Sequence, residues 1–190
     1  MPHMQPSSVR GLLHPTRTAL LVLDVQMRFA RAIPEFDDVV TACSRLARVF
    51  RLLGLPVVAT EQYPQGLGAT VPTLLREFEH HEVPDKTVFS AWSCAAAREA
   101  LRAGGTESVL VCGVETHVCV LQSAAEMLAA GLAVHVAVDA VASRRTSDRD
   151  LALARLRDLG AVPTSSEAAA FELVRDARHP QFKELQAMFV

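Results

Sequence analysis

The alternation of short apolar runs with segments of helical spacing constrains the fold of this chain more than any other feature. The runs span residues 19–25, 56–60, 108–112, 132–138 and 161–164. Buried parallel strands read as nearly continuous apolar stretches, and strands that alternate with helices are joined by right-handed crossovers. We therefore predict an α/β fold with three layers, a doubly wound (Rossmann-like), mostly parallel six-stranded sheet with helices on both faces.

Helical spacing and domain size complete this outline. The predicted helices cover residues 35–53, 71–78, 93–102, 118–130, 148–159, 165–175 and 178–189. With 190 residues, half of them hydrophobic, the chain can bury one sizeable core, so residues 18–190 are predicted to form a single domain. Residues 1–17 contain three prolines and are expected to form a mobile N-terminal arm.

Charge and cysteine content narrow the class of partner. The formal net charge of -2 and the mixing of acidic and basic residues give no electrostatic argument for nucleic acid or a membrane surface. Four cysteines without metal-ligand spacing favour free thiols in a reducing compartment. No apolar run approaches the roughly 18 residues of a membrane span, and residues 1–8 lack the regions of a signal peptide. We expect a cytoplasmic protein that binds a small molecule.

Cys119 is the candidate nucleophile. It follows the apolar run 108–112 and the conformationally permissive Gly113, and it opens the predicted helix 118–130. The unpaired amides at a helix N-terminus stabilise a thiolate, so the pKa of this thiol is expected to lie below the usual value of about 8.5. A lone cysteine in an apolar stretch is also commonly a small buried hydrophobic residue.

Two charged residues are predicted to meet this thiol. In the usual doubly wound order the first and fourth strands are neighbours, so Asp24 after the first strand faces Cys119 after the fourth. Lys86 approaches from the loop after the third strand. An acid, an ammonium group and a thiol supply the base, charge stabiliser and nucleophile of acyl transfer. Alternatively, Asp24 is a strand-end cap and Lys86 only its ion-pair partner.

Three motifs resemble one known family. They are LLVLDVQ at residues 20–26, DKTVFSAW at 85–92 and GVETHVCVLQSA at 113–124. From about Thr18 to Thr164 the chain is similar to the isochorismatase-like cysteine hydrolases, which include nicotinamidases, N-carbamoylsarcosine amidohydrolases and ureidoacrylate hydrolases. The stretch 60–74 is most similar to the isochorismatase domain-containing protein subgroup.

The resemblance implies a role for each residue. Asp24, Lys86 and Cys119 match the Asp-Lys-Cys triad of the family. A cis peptide bond is implied between Val114 and Glu115, and the backbone amides of Glu115 and Cys119 are implied to form an oxyanion hole. The expected reaction is cleavage of an amide or related C–N bond through an acyl-thioester on Cys119, with Asp24 as base and Lys86 as charge stabiliser.

The chain departs from the nicotinamidases at their metal site. Those enzymes carry an Asp-x-His arrangement and a further histidine, whereas this loop has Glu61, Gln62 and Tyr63, and no histidine occurs before His80. One acid without imidazole partners is a poor zinc or iron site. We predict no metal and no cofactor, and nicotinamide becomes a less favoured substrate.

Aromatic residues near the predicted strand ends are candidates for a substrate pocket. Phe29, Tyr63, Phe89 and Trp92, together with Val114, are expected to line it, although core or subunit-interface packing is an alternative for each.

Three further polar residues lie near the predicted site. His117 is expected to point sideways rather than act as a base. Arg144 and Arg145 are candidates for binding a substrate carboxylate, or for solvent-exposed or intersubunit positions.

Three functions remain open from the sequence. The first is the cysteine hydrolase, acting on a small molecule. The second is a low-turnover thiol redox or ligand-binding scaffold protein. The third, a vinyl-ether hydrolase, is disfavoured because family members with that activity do not use the cysteine, and Cys119 is present here. Family members assemble as oligomers, and the apolar excess of this chain is consistent with a homo-oligomer.

Overall fold

The computed structural model describes residues 11–78 and 83–190. Six strands form one sheet in the order β3-β2-β1-β4-β5-β6, and every neighbouring pair of strands is parallel. The strands are β1 (Thr18–Leu23), β2 (Val57–Gln62), β3 (Asp85–Lys86), β4 (Ser108–Val114), β5 (Ala133–Ala142) and β6 (Val162–Thr164). The predicted α/β class with a parallel six-stranded sheet is confirmed.

Eight α-helices connect and cover the strands in the described residues. They are α1 (Phe36–Leu52), α2 (Pro64–Leu67), α3 (Pro72–Leu75), α4 (Ala95–Arg102), α5 (Leu121–Ala129), α6 (Thr146–Asp158), α7 (Ser166–Val174) and α8 (Phe182–Gln186). A π-helical turn, Thr116–Val120, precedes α5 directly. In the part of the chain that the structure describes, no helix has both the length and the apolar character needed to cross a bilayer.

Successive side chains of β1 point to opposite faces of the sheet and so divide the core in two. Leu20 and Val22 pack with α1, α7 and α8 on one face. Leu21 and Leu23 pack with α4, α5 and α6 on the other face. The alternation explains why all of β1 is buried and why its sequence is continuously apolar.

β1 and β4 approach each other closely at their carboxyl ends, where Leu23 pairs with Gly113. Gly113 has a φ of 109°, and a Cβ atom there would lie 2.1 Å from the Leu23 carbonyl oxygen. The β4–β5 register also shifts between Val111 and Gly113. Glycine is therefore required at this position, immediately before the segment that carries the candidate nucleophile.

Several boundaries differ from the sequence prediction. β5 extends to Ala142 rather than residue 138, and the predicted helix 118–130 begins instead with the π-helical turn. Residues 1–10 of the predicted arm lie outside the described residues, but Leu13 is fully buried and its backbone is bound by Glu172 and Arg175 of α7 and its C-cap. Leu13 thus belongs to the packed domain rather than to a mobile arm.

Candidate active site

Asp24 is turned into the protein interior directly after β1. Its φ of 54° is left-handed, a conformation that aspartate tolerates better than most residues. Its backbone N–H donates to the Thr60 carbonyl at 3.1 Å, which keeps the turn beside β2. The side chain is 1% exposed, and its Oδ1 accepts a hydrogen bond of 2.8 Å from the Thr60 hydroxyl. The carboxylate is therefore fixed in a site without bulk water.

Lys86 lies in the two-residue edge strand β3 rather than in the loop after the third strand. Its buried Nζ donates to Asp24 Oδ2 at 2.8 Å, to Gln62 Oε1 at 2.7 Å and to the Phe89 carbonyl at 3.1 Å. These acceptors match the three protons of an ammonium group. The same Nζ lies 3.7 Å from Cys119 Sγ. Lys86 thus holds a positive charge between the carboxylate and the thiol.

Cys119 lies within the π-helical turn rather than at the first residue of a helix. The Glu115 carbonyl accepts hydrogen bonds from the N–H groups of Val118, at 3.1 Å, and Val120, at 3.3 Å. An α-helix would bond that carbonyl to the Cys119 N–H instead. The turn therefore redirects the backbone around Cys119, whose sulfur reaches the cavity although the residue is only 5% exposed.

Burial controls the protonation of the two acidic groups. Desolvation raises the pKa of the Asp24 carboxyl from 3.8, while Lys86, Cys119 and Thr60 act in the opposite direction. Desolvation also raises the pKa of the Cys119 thiol far above its usual range; the Asp24 charge adds to the rise and Lys86 opposes it. The expected low pKa of this thiol is wrong: the pKa is raised, and the resting group is a neutral thiol.

The loop after β3 is tied to α5. Ser90 Oγ donates to Glu126 Oε2 at 2.6 Å, and the Ala91 N–H donates to Ser123 Oγ at 2.8 Å. Because α5 continues from the turn that carries Cys119, these bonds fix the Phe89 carbonyl, and through it Lys86, relative to the thiol. Sequence reasoning missed this anchor, since isolated serines and one glutamate form no recognisable motif.

A cavity of about 420 Å³ opens above the thiol. This volume lies in the range of small-molecule sites. Its lining residues are Arg28, Phe29, Ala32, Gln62, Leu67, Phe89, Glu115, Val118, Cys119 and Arg144. Phe29 and Phe89, two of the candidates for a substrate pocket, are among these lining residues.

Three predicted pocket residues lie elsewhere. Val114 is fully buried in the core. Trp92 packs against the other core cluster, with the guanidinium carbon of Arg102 5.0 Å from its ring centroid. Tyr63 is 53% exposed, and its ring covers Gly66. The prediction that these three line the pocket is wrong, because strand-end position does not fix the direction of a side chain.

The peptide bond between Val114 and Glu115 is cis. It lies at the end of β4, where the backbone turns into the segment carrying Cys119. The Glu115 side chain does not point at the thiol as a second acid; its Oε1 accepts bonds from the Arg144 backbone N–H, at 3.0 Å, and Nε, at 2.9 Å. His117 bonds Ser143 at 3.0 Å and is not among the residues that line the cavity.

Gln62 is the residue of the site that sequence reasoning left without a role. Its Oε1 accepts from Lys86, its Nε2 donates to the Thr87 carbonyl at 2.9 Å, and it lines the cavity. Its backbone N–H and carbonyl both bond the buried Gln26 side chain. The sequence could have pointed to Gln62 through its position at the carboxyl end of β2, the strand beside β1.

A metal site would need a cluster of ligating side chains. Among residues 11–78 and 83–190, no group of three histidine, cysteine or acidic side chains is arranged to hold an ion. His80 lies outside the described residues. Around the thiol, the polar groups of Gln62 and Lys86 are committed to each other and to neighbouring carbonyl and carboxylate oxygens.

Comparison with known proteins agrees with the fold. Residues 18–168 match the model of the isochorismatase domain. Isochorismatase domain-containing protein 2A of Mus musculus is 44% identical over 176 residues, covering 93% of this chain and 84% of the relative.

Two solved structures are also similar. A structure described as MAR1 ribonuclease from Caenorhabditis elegans has a TM-score of 0.88 and 43% identity, covering 92% of this chain and 90% of that one. YcaC from Pseudomonas aeruginosa, described with hexane-2,5-diol and covalent acrylamide, has a TM-score of 0.88 and 26% identity, covering 97% and 94%. The chain belongs to the isochorismatase-like hydrolase family.

Proposed function

We propose that the protein is a cysteine hydrolase that cleaves an amide or related C–N bond of a small molecule through an acyl-thioester on Cys119. The observation that carries this proposal is the position of Lys86 Nζ, 2.8 Å from Asp24 Oδ2 and 3.7 Å from Cys119 Sγ. A nucleophile that lines a cavity, with a base and a charge stabiliser buried beside it, supplies the groups that acyl transfer requires.

Acylation begins from the neutral thiol. As Cys119 sulfur attacks the substrate carbonyl carbon, its proton passes to the Asp24 carboxylate, whose raised pKa makes it a stronger base than an exposed aspartate. Lys86 stabilises the negative charge on sulfur during this transfer. The carbonyl oxygen becomes an oxyanion, which the backbone N–H groups of Glu115 and Cys119 receive, at a typical value of about 3–4 kcal/mol per donor.

Collapse of the tetrahedral intermediate breaks the C–N bond. Asp24 returns the proton to the leaving nitrogen, and the acyl group stays on sulfur as a thioester. Water then attacks the thioester carbonyl while Asp24 takes its proton. The C–S bond breaks, the sulfur regains a proton from Asp24, and the carboxylic acid product leaves.

The cavity and the relatives support a small substrate. A volume of about 420 Å³ with phenylalanine, leucine and valine walls suits a small acyl group. The YcaC structure carries an acrylamide bound covalently, and transfer of that property to Cys119 is part of this proposal. RNA is not proposed as substrate despite the name of the Caenorhabditis elegans protein, because a net charge of -2 gives no electrostatic argument for binding a polyanion.

Acid-quenched mass spectrometry with a panel of small amides tests the proposal. The wild-type protein and a Cys94→Ala control, which lacks the partly exposed cysteine outside the cavity, should gain the mass of the acyl group. Cys119→Ala should fold normally and gain none. An unchanged hydrolysis rate in Cys119→Ala would exclude the mechanism.

The scaffold alternative makes a different prediction. A thiol with a redox role would oxidise reversibly with peroxide in preference to trapping an acyl group, whereas the raised pKa of Cys119 disfavours peroxide oxidation. A vinyl-ether hydrolase would retain its rate in Cys119→Ala. The homo-oligomer and the cytoplasmic location stay predictions, which gel filtration and cell fractionation would check.

A further inference from the structure

In the part of the chain that the structure describes, the lining of the cavity above Cys119 includes an exposed arginine, Arg28, without an acidic partner. Three of its described lining residues are ionic: Arg28, Arg144 and Glu115. Glu115 is committed to Arg144, since its Oε1 accepts from both the Nε and the backbone N–H of that residue. Within residues 11–78 and 83–190, the Arg28 guanidinium makes no hydrogen bond or ion pair. The cavity therefore presents one cation without a counter-ion.

Arg28 stands on a backbone that is fixed relative to the catalytic groups. It belongs to the 3-10 turn Met27–Arg31, four residues after Asp24. The Met27 N–H donates to the Ala69 carbonyl at 3.0 Å, and the Phe29 N–H donates to the Gln26 carbonyl at 3.0 Å. Gln26 is buried and bonded to the end of β2 through its side chain. The guanidinium is thus attached to a rigid turn while its own hydrogen bonds remain available.

Apolar side chains make up half of the cavity lining that includes both Arg28 and Cys119. Five of the ten lining residues are apolar: Phe29, Ala32, Leu67, Phe89 and Val118. Apolar walls lower the local dielectric and strengthen the attraction between a guanidinium and an anion. They also offer no hydrogen bonds to a polar middle section of a ligand.

From this arrangement we infer that Arg28 forms a subsite for an anionic group, most simply a carboxylate, at the end of the substrate remote from the scissile C–N bond. The inference rests on the proposed function and names its substrate class: a small amide whose apolar or flat centre separates the reacting carbonyl from a carboxylate. Arginine is suited to this role because its planar fork binds a carboxylate through two hydrogen bonds.

A matched pair of thiol reagents tests the subsite without knowledge of the substrate. N-ethylmaleimide is neutral and 3-maleimidopropionate is anionic, yet both add the Cys119 sulfur to the same ring carbon and the proton to its neighbour. Second-order rate constants are measured in a Cys94→Ala background, with the labelled peptide identified by mass. The readout is the ratio of the anionic to the neutral rate constant, in which effects on thiol reactivity cancel.

Arg28→Gln should lower this ratio about fivefold, the size expected for one partly exposed ion pair. Arg31→Gln, which removes an exposed arginine of the same turn outside the cavity lining, should leave the ratio unchanged. The difference between wild type and Arg28→Gln should shrink as salt is added.

Two results would overturn the inference, and they differ. Equal ratios in wild type and Arg28→Gln would refute the anionic subsite while leaving Cys119 as the nucleophile. A wild-type protein that gains no acyl mass on Cys119 from any amide of the panel would refute the nucleophile itself, and with it both proposals.

Discussion

The two ends of the β1–β4 pair bury polar groups of opposite kinds. At the amino end, the Thr18 hydroxyl donates to the His14 carbonyl at 2.6 Å and lies 2.6 Å from the Ser108 hydroxyl oxygen. At the carboxyl end, Asp24 and Lys86 form a buried ion pair. The same two strands therefore end in a neutral hydrogen-bonded cluster on one side and in fixed charges on the other.

The two ends differ in what their polar groups contribute to stability. A neutral hydrogen bond satisfies buried polar atoms at little cost, whereas a buried ion pair must recover the desolvation of both charges and is often no more stable than an apolar replacement. Here desolvation dominates the pKa of both Asp24 and Cys119. A buried ion pair at the edge where the cavity opens is therefore better explained by chemistry than by stability.

Removal of one charge of the buried ion pair should cause the largest loss of stability. Lys86→Met leaves the Asp24 carboxylate buried without its cation and should lower the free energy of unfolding by about 3–5 kcal/mol. Lys183→Met, which removes an exposed lysine, should cost less than about 0.5 kcal/mol. Denaturant titration measures both values, and a similar small loss in both variants would show that Lys86 carries no buried charge.

The loss in Lys86→Met should depend on pH. Without the ammonium the pKa of Asp24 rises further above its unfolded value of 3.8, because Lys86 is a cause that lowers it. When the pKa of a carboxyl group is higher in the folded than in the unfolded state, the folded state binds the proton more tightly. The free energy of unfolding then falls as the pH rises from the unfolded-state pKa through the folded-state pKa. The deficit should therefore grow from acid to neutral pH, and a constant deficit would contradict this assignment.

Neutralising both partners should reverse much of that loss. In the double variant Asp24→Asn, Lys86→Met no charge remains, and asparagine tolerates the left-handed φ of 54° and can still accept from Thr60. We expect recovery of about 2 kcal/mol or more relative to Lys86→Met alone, with no thioester formed. Denaturant titration and acid-quenched mass spectrometry check the two parts. A double variant no more stable than Lys86→Met would mean that the size of the side chain at residue 86, and not the unpaired charge of Asp24, causes the loss of stability.

The sequence allowed the fold and the meeting of three central side chains to be predicted. The apolar runs predict parallel strands, and the strand order puts Asp24 opposite the segment that carries Cys119. Lys86 was expected in a loop, because its two-residue strand is too short for periodicity to reveal. The directions of Tyr63 and Trp92 depend on tertiary packing, which strand-end position does not encode.

The pKa of Cys119 illustrates the same limit. A sequence shows that a thiol stands near a helix start, which favours a low pKa. The direction of the shift depends on how much water the folded chain removes and which charges it brings close, and here desolvation and Asp24 outweigh Lys86. Local sequence carries no measure of desolvation, so the sign was wrong.

Removing the Asp24 charge alone should lower the pKa of the Cys119 thiol. Asp24→Asn takes away a cause that raises the pKa of Cys119, so that pKa should fall and the thiolate fraction at a fixed pH should rise about tenfold per unit of the fall. Ultraviolet thiolate absorbance, taken as a difference from Cys119→Ser, measures it. Glu115→Gln serves as the control, because its carboxylate is bound to Arg144 and should leave the thiol pKa unchanged. An equal or higher pKa in Asp24→Asn would contradict the assigned sign.

The smallest effect is expected at the amino end. Ser108→Ala removes the hydrogen bond with the Thr18 hydroxyl and the long one, of 3.4 Å, that the His14 N–H donates to Ser108 Oγ. The Thr18 hydroxyl keeps its bond to the His14 carbonyl, so the loss should be about 1 kcal/mol. Because no charge changes and the alteration lies at the opposite end of β4, the maleimide labelling rate of Cys119 should equal that of the wild type. A clearly slower rate would mean that the β1–β4 pair transmits changes in packing along its length. The thiol's reactivity would then depend on the whole strand pair, not only on the charges that surround it.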